Sequence, residues 1–267
     1  MTQTGTDRIT AAFKQTQSKQ TAALMPYFTL GYPDAATSLH IIEAIAPYSD
    51  LLELGVPFSD PLADGPTVQH STQVSLENGT TTAGCLAMVR ELRQRGVQTP
   101  IMLMGYVNPI LAYGEANYVR DAQAVGVDGF IVPDLPPEEA EDLDEMAAAA
   151  GLALIQFLAP TSNQRRIEQV AARARGFIYL VSVTGVTGAR SQVRTDLAGF
   201  VNKVRAETAV PLAVGFGISN PAQAAEVGQV ADGVIVGSAF INAVNEGEDK
   251  VETAVQFVKS LRDALQK

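Results

Sequence analysis

The chain has 267 residues, 46% of them hydrophobic, enough for a sizeable core within one large α/β domain. Its 29 acidic and 19 basic residues give a formal net charge of −10, which argues against nucleic acid as a partner. A lone cysteine, Cys85, excludes an internal disulfide framework and fits a reducing cytoplasm; with only two histidines, metal chemistry is disfavoured and acid–base work falls to carboxylates.

In chain order, residues 1–20 are polar and lack an apolar signal core, so they read as an N-terminal helix or extension. Short apolar runs closed by Gly, Pro, Ser or Asp then recur: ALMPYFTLG (23–31), DLLELG (50–55), PIMLMGY (100–106), DGFIVPD (128–134), LALIQFLAP (152–160), FIYLVS (177–182), PLAVGFG (211–217) and DGVIVGS (232–238). Near-continuous apolar character suits parallel strands buried on both faces. Helical patterns separate them, among them SLHIIEAIAPY, AGCLAMVRELRQRG, ANYVRDAQAVG, PPEEAEDLDEMAAAAG and RRIEQVAARARG, then DLAGFVNKVRAE, PAQAAEVG and VETAVQFVKSLRDALQ. The most apolar stretch, AAAAGLALIQFLAP, is interrupted by Gln156 and closed by Pro160, too short to span a bilayer, so no membrane partner is expected. Eight strands alternating with helices predict a single-domain α/β fold, a (β/α)8 TIM barrel with additional short helices, over residues 1–267. A doubly wound open sheet is the rival, with TLGYPD a weak candidate for its Gly-rich turn. GVDGFIVPD (126–134) and VADGVIVGS (230–238) echo each other like half-barrel repeats.

Barrel active sites lie at the C-terminal strand ends. Glu53 sits in the second apolar run, and by alternation it faces away from Leu52 and Leu54, into the barrel mouth if the leucines pack outward. A buried carboxylate is costly unless it is paired, hydrogen-bonded or used, so a Glu satisfied by backbone N–H groups or a hidden lysine is the competing reading. Asp60 and Asp64 fall in a loop expected to exceed a dozen residues, the length of a lid or binding segment. Asp64-Gly65-Pro66 also reads as a turn with a helix start. Further on, GVTG (185–188), GFG (215–217) and GSAF (237–240) follow three successive strands. Such glycines let backbone N–H groups approach an anion, and SAFINAV (238–244) can supply a short helix with the Ser238 hydroxyl, so the spacing predicts a phosphate grip without Lys or Arg. Tyr179 reads as a core tyrosine, His70 and Cys85 as structural or surface residues, and Asn108 and Asp134 as turn formers. Paired carboxylates also suit a glycoside hydrolase, but a chain without tryptophan and with 6% aromatics offers few sugar platforms. A phosphate-binding barrel without turnover is the non-enzymatic alternative.

LELGVPFSDPLADG (52–65) resembles the signature of the tryptophan synthase α chain family, and the likeness extends through TLGYPD, GYVNP (105–109), VPDLPPEE, SVTGVTG (182–188), GFGIS and GSA. The resemblance implies a TIM-barrel lyase that cleaves indole-3-glycerol phosphate to indole and glyceraldehyde 3-phosphate, the α reaction of tryptophan biosynthesis. Glu53 then matches the catalytic acid–base, Asp64 the acid that receives the ring N–H, and Tyr179 a substrate contact. Gly188, Gly217, Gly237 and Ser238 match the phosphate grip, and Thr187 a mobile loop over the site. Pro57, Phe58, Ser59, Asp60 and Asn108 match positions toward a β chain in an α2β2 heterotetramer. The implied pyridoxal phosphate belongs to that partner, with no metal or cofactor on this chain. A stand-alone lyase releasing free indole carries the same acids and differs in being active without the β chain.

Overall fold

The computed structural model describes residues 3–181, 190–215 and 217–266. Eight parallel strands, β1 (Ala23–Thr29), β2 (Leu52–Gly55), β3 (Ile101–Met104), β4 (Gly129–Ile131), β5 (Ala153–Leu158), β6 (Ile178–Val181), β7 (Leu212–Gly215) and β8 (Gly233–Val236), close into a barrel in sequence order. All eight fall inside the apolar runs, which excludes the open sheet. The helices are α1 (Gly5–Ser18), α2 (Ala35–Ile45), α3 (Pro66–Glu77), α4 (Thr82–Gln94), α5 (Val107–Tyr113) and α6 (Glu115–Val125), followed by α7 (Glu141–Ala149), α8 (Gln164–Arg173), α9 (Arg190–Arg205), α10 (Pro221–Gly228), α11 (Ser238–Glu246) and α12 (Lys250–Leu265).

Three expectations are corrected. The loop after β2 covers only residues 56–65, because Gly65 is already the N-cap of α3 and Pro66 its first residue, where a missing N–H costs nothing. Pro136 and Pro137 lie outside α7, which starts at Glu141. Asn108 belongs to α5 rather than to a turn, whereas Asp134 does lie in a turn, from which it accepts the Val107 N–H at 3.0 Å at the start of that helix.

The sequence echo has a structural cause at the N-terminal end of the barrel. Asp128 Oδ2 accepts the Ile101 N–H at 2.7 Å, while the Asp128 N–H donates to the Ile101 carbonyl at 2.9 Å. Asp232 makes the same ring with Leu212, at 2.8 and 2.9 Å, and Asp50 makes it with Leu24, also at 2.8 and 2.9 Å. Each aspartate thus ties the start of an even-numbered strand to the odd strand before it. Each also meets a helical arginine: Arg93 at 2.7 Å from Asp128, Arg205 at 3.0 Å from Asp232 and Arg262 at 2.6 Å from Asp50. Strand β6 follows Arg175-Gly176-Phe177 and has no aspartate there.

Beneath these clamps α1 covers the barrel floor. Thr4 and Asp7 form a reciprocal capping box at its start, and its apolar face buries Ile9 and Phe13. The Phe13 ring packs against Phe177 at 5.7 Å and fills the space beside Gly233.

Candidate active site

Glu53 is in register with Tyr27 of β1 and Met102 of β3. Leu52 and Leu54 are fully buried and alternate with it, which turns the carboxyl inward to the barrel mouth. It is 3% exposed, and its Oε2 has no hydrogen-bond partner among the described residues. Burial, and secondarily the charge of Asp64, push its pKa up to about 8. No described lysine or backbone amide satisfies that oxygen, so the arrangement lacks the compensation a purely structural buried glutamate needs.

Asp64, half-buried in the loop after β2, lines the same cavity of about 260 Å3. Its Oδ2 accepts the Tyr106 hydroxyl at 3.0 Å. Burial raises its pKa to about 6, and the Tyr106 bond pulls it the other way. Near neutrality the cavity lining therefore holds one protonated and one ionised carboxyl, and such divergence between neighbouring carboxyls suits separate acid and anion roles.

Two phenols complete the interior, each leaning over a glycine of the next strand. A Cβ on Gly55 would lie 2.2 Å from the Tyr27 oxygen, and one on Gly215 would lie 2.2 Å from the Tyr179 oxygen. Tyr179 also stacks on Phe157 at 4.9 Å. The Tyr27 hydroxyl sits 3.3 Å from Thr29 Oγ1, which is 2.7 Å from Ser71 Oγ. Ser71 donates to the Val68 carbonyl at 2.9 Å, so protons along this chain run from Tyr27 through Thr29 to Ser71.

The far end of the cavity is lined by Gly217, Ser219, Gly237, Ser238, Ala239 and Asn242. Gly217 takes a φ of +76°, a backbone region that suits glycine. The nine-residue α11 begins at Ser238 with Gly237 as its N-cap and no side-chain capping bond. Its first-turn N–H groups and dipole thus face the cavity end, where an anion is stabilised, and no Lys or Arg is among the described residues that line it.

The structure therefore brings together Glu53, Asp64, Tyr179, Gly217, Gly237 and Ser238. Thr187 and Gly188 lie outside the described residues. Pro57 is buried, Phe58 is half-buried against the Tyr106 ring at 5.5 Å, and Ser59, Asp60 and Asn108 are exposed, away from the cavity lining. The Ser59 hydroxyl donates to the Asp60 carboxylate, and Leu62 beside them is 92% exposed. Sequence reasoning assigned no role to Tyr27, Tyr106, Ser219 or Asn242. Tyr106 lay within the quoted GYVNP segment, directly after a strand, which is the signal that could have found it. Among the described residues there is no group of His, Cys, Asp and Glu that could hold a metal ion, and no helix is long and apolar enough to cross a membrane.

Comparison with known proteins places this geometry. The family model described as tryptophan synthase alpha chain matches residues 13–267. The tryptophan synthase alpha chain of Chloroflexus aurantiacus is 49% identical over 261 residues, 97% of this chain and 98% of the relative. That of Pelobacter propionicus is 48% identical over 262 residues, 97% and 98% of the two chains. Among solved structures, tryptophan synthase subunit alpha from Legionella pneumophila superposes with a TM-score of 0.90 at 34% identity, covering 97% of this chain and 98% of the other. A tryptophan synthase structure from M. tuberculosis gives 0.88 at 34% identity, covering 97% and 99%. With the family model spanning nearly the whole chain and relatives near half identity, this protein belongs to the tryptophan synthase alpha chain family.

Proposed function

We propose that Glu53 and Asp64 carry the α reaction of tryptophan synthase in this chain, the retro-aldol cleavage of indole-3-glycerol phosphate to indole and glyceraldehyde 3-phosphate. The observation that carries the reading is the buried Glu53 carboxyl, whose Oε2 has no partner among the described residues, held protonated near neutrality in the same cavity as ionised Asp64. An indole carbanion is a poor leaving group, so C3 must be protonated before its bond to the glycerol chain breaks. Protonated Glu53 supplies that proton, and the ring becomes an iminium that accepts the bond's electrons. The Asp64 carboxylate faces the ring N–H, where positive charge develops. The Glu53 carboxylate left behind takes the proton from the hydroxyl beside the breaking bond, the aldehyde forms, and the catalyst returns to its starting state. Tyr27 and Tyr179 wall the ring, while Gly217, Gly237 and Ser238, with Gly188, hold the phosphate through backbone amides and the α11 dipole. Thr187 belongs in this reading to the segment over the site.

Pro57, Phe58, Ser59, Asp60 and Asn108 present the partner surface, and the partner is a tryptophan synthase β chain in an α2β2 assembly. Pyridoxal phosphate sits on that chain, and this one needs no cofactor. The lone cysteine supports a cytoplasmic setting.

The test is release of glyceraldehyde 3-phosphate from indole-3-glycerol phosphate, with and without a β chain, by wild type and Glu53→Gln. Weak wild-type turnover, stimulated by the partner and lowered at least a thousandfold by the substitution, is the expected result. Full activity in Glu53→Gln assigns the proton transfer elsewhere, and high activity without a partner points to a free-indole lyase.

A further inference from the structure

Tyr106 is the first residue beyond the β3–Gly105 corner and the N-cap of α5. It is 3% exposed, yet it does not line the cavity. Its single hydroxyl engages two consecutive residues of the loop after β2. It accepts the Ala63 N–H at 3.0 Å and donates to Asp64 Oδ2 at 3.0 Å. The other bonds of Asp64 involve only its backbone: its N–H donates to the Pro61 carbonyl at 3.1 Å, and its carbonyl accepts from the Gln69 side-chain Nε2 at 2.8 Å. Among the described residues Tyr106 is therefore the one side chain that holds the Asp64 carboxylate. The Phe58 ring packs against its ring in a tilted contact, centroids 5.5 Å apart, and ties the other end of the loop to the same residue.

We infer that Tyr106 is a positioning residue for the α reaction, fixing the Asp64 carboxylate at the cavity wall by gripping both that carboxylate and the preceding backbone N–H. The inference rests on the role proposed above for Asp64. A loop carboxylate free to rotate toward water would meet the ring N–H in few of its orientations, and catalytic groups lose rate steeply when displaced. A tyrosine suits the task because its one oxygen both donates and accepts. Phenylalanine keeps the ring and its tilted contact with Phe58 while deleting both bonds.

The experiment uses the α2β2 complex with indole-3-glycerol phosphate, comparing wild type, Tyr106→Phe and Asp64→Asn across pH. For Tyr106→Phe, kcat is expected to fall about tenfold, the loss of one hydrogen bond to a charged group. KM should change less than about twofold, because the phosphate contacts lie at the far end of the cavity and are uniform in ground and transition states. The acid limb of kcat/KM should move to higher pH, since a carboxylate deprived of its donor is harder to ionise. Replacing Tyr106 with 3-fluorotyrosine, a more acidic phenol and stronger donor, should move that limb to lower pH with the fold intact. A fall in thermal midpoint with kcat and the pH limb unchanged, or a loss of kcat with no displacement of the limb in either variant, makes Tyr106 a structural anchor and overturns the inference. Wild-type turnover in Asp64→Asn instead removes the role proposed for Asp64. An inactive Asp64→Asn beside an unaltered Tyr106→Phe removes only the positioning role.

Discussion

Glu53 is kept protonated near neutrality by burial first and by the charge of Asp64 second, and this has a stability cost of definite sign. Its folded pKa of about 8 lies above the ordinary glutamate value of 4.5. Between those values the folded chain binds more protons than the unfolded one, so stability is full below the lower value and falls as pH rises through the upper. Glu53→Gln removes this dependence. Its advantage over wild type is expected to grow from near zero at pH 4 to as much as roughly 4 kcal/mol at pH 8. Urea titrations of both proteins at the two pH values check this, and an equal difference at both would remove the link between the burial of Glu53 and its charge. The same burial made Glu53 legible in the sequence, because a lone acid inside an apolar run is conspicuous. Tyr27 and Tyr106 were less conspicuous, the second marked only by its place directly after a strand, since an aromatic there looks the same whether it fills a core or serves a site. Their roles depend on partners distant in the chain, Gly55 for Tyr27 and Asp64 for Tyr106.

Among the elements, the strands were readable because burial on both faces leaves a continuous apolar run, whereas α5 and the body of α3 were not, only the start of α3 being marked by Asp64-Gly65-Pro66. The buried side of α3 consists of Val68, Ser71, Thr72 and Ser75, nearly all polar, so no hydrophobic stripe marks it. Helix α5 spans only seven residues, too few for a period to show. The Asp-Gly echo was visible, but its meaning needed the barrel: aspartates at 50, 128 and 232 clamp strand pairs from below. Asp128 is the most buried of the three, at 1% exposure against 18% for Asp50 and 32% for Asp232. Burial raises its pKa despite the two arginines beside it, so the ion pair itself is no large source of stability. Breaking it is another matter, because Arg93 and the Ile101 N–H would be left buried without their acceptor. Asp128→Ala is expected to lower unfolding free energy by about 3–5 kcal/mol, and Asp232→Ala by about 1 kcal/mol. Urea midpoints of the two variants measure the gradient. Equal losses would show that burial does not grade these clamps.

Across the whole molecule, the two ends of the barrel divide the work. The C-terminal end carries the carboxyls, the glycine-rich anion cradle and the exposed Leu62, while the N-terminal end carries the aspartate clamps and α1. The proposal that residues 1–20 belong to the same single domain as the barrel has a direct consequence, because α1 then acts as its floor. Ile9 and Phe13 are 0% and 4% exposed and share one continuous apolar core with the strands and with α12. The Thr6 N–H donates to the Gly151 carbonyl at 3.1 Å, and Arg8 reaches Asp128 at 3.3 Å, so the helix is tied to the clamp layer as well as packed on it. Phe13→Ala would open a cavity between Phe177 and Gly233 that the rigid strand ends cannot collapse to fill, at a cost of about 3–5 kcal/mol. The expected outcome is a urea midpoint lowered in proportion, with kcat of the α reaction at 25 °C within about twofold of wild type, because conservation of stability and of chemistry belong to opposite ends of such a barrel. An unchanged midpoint would make α1 an appended helix rather than part of the domain. A large loss of kcat in a fully folded variant would instead mean that packing at the floor sets the position of Glu53, two residues from the top of a four-residue strand.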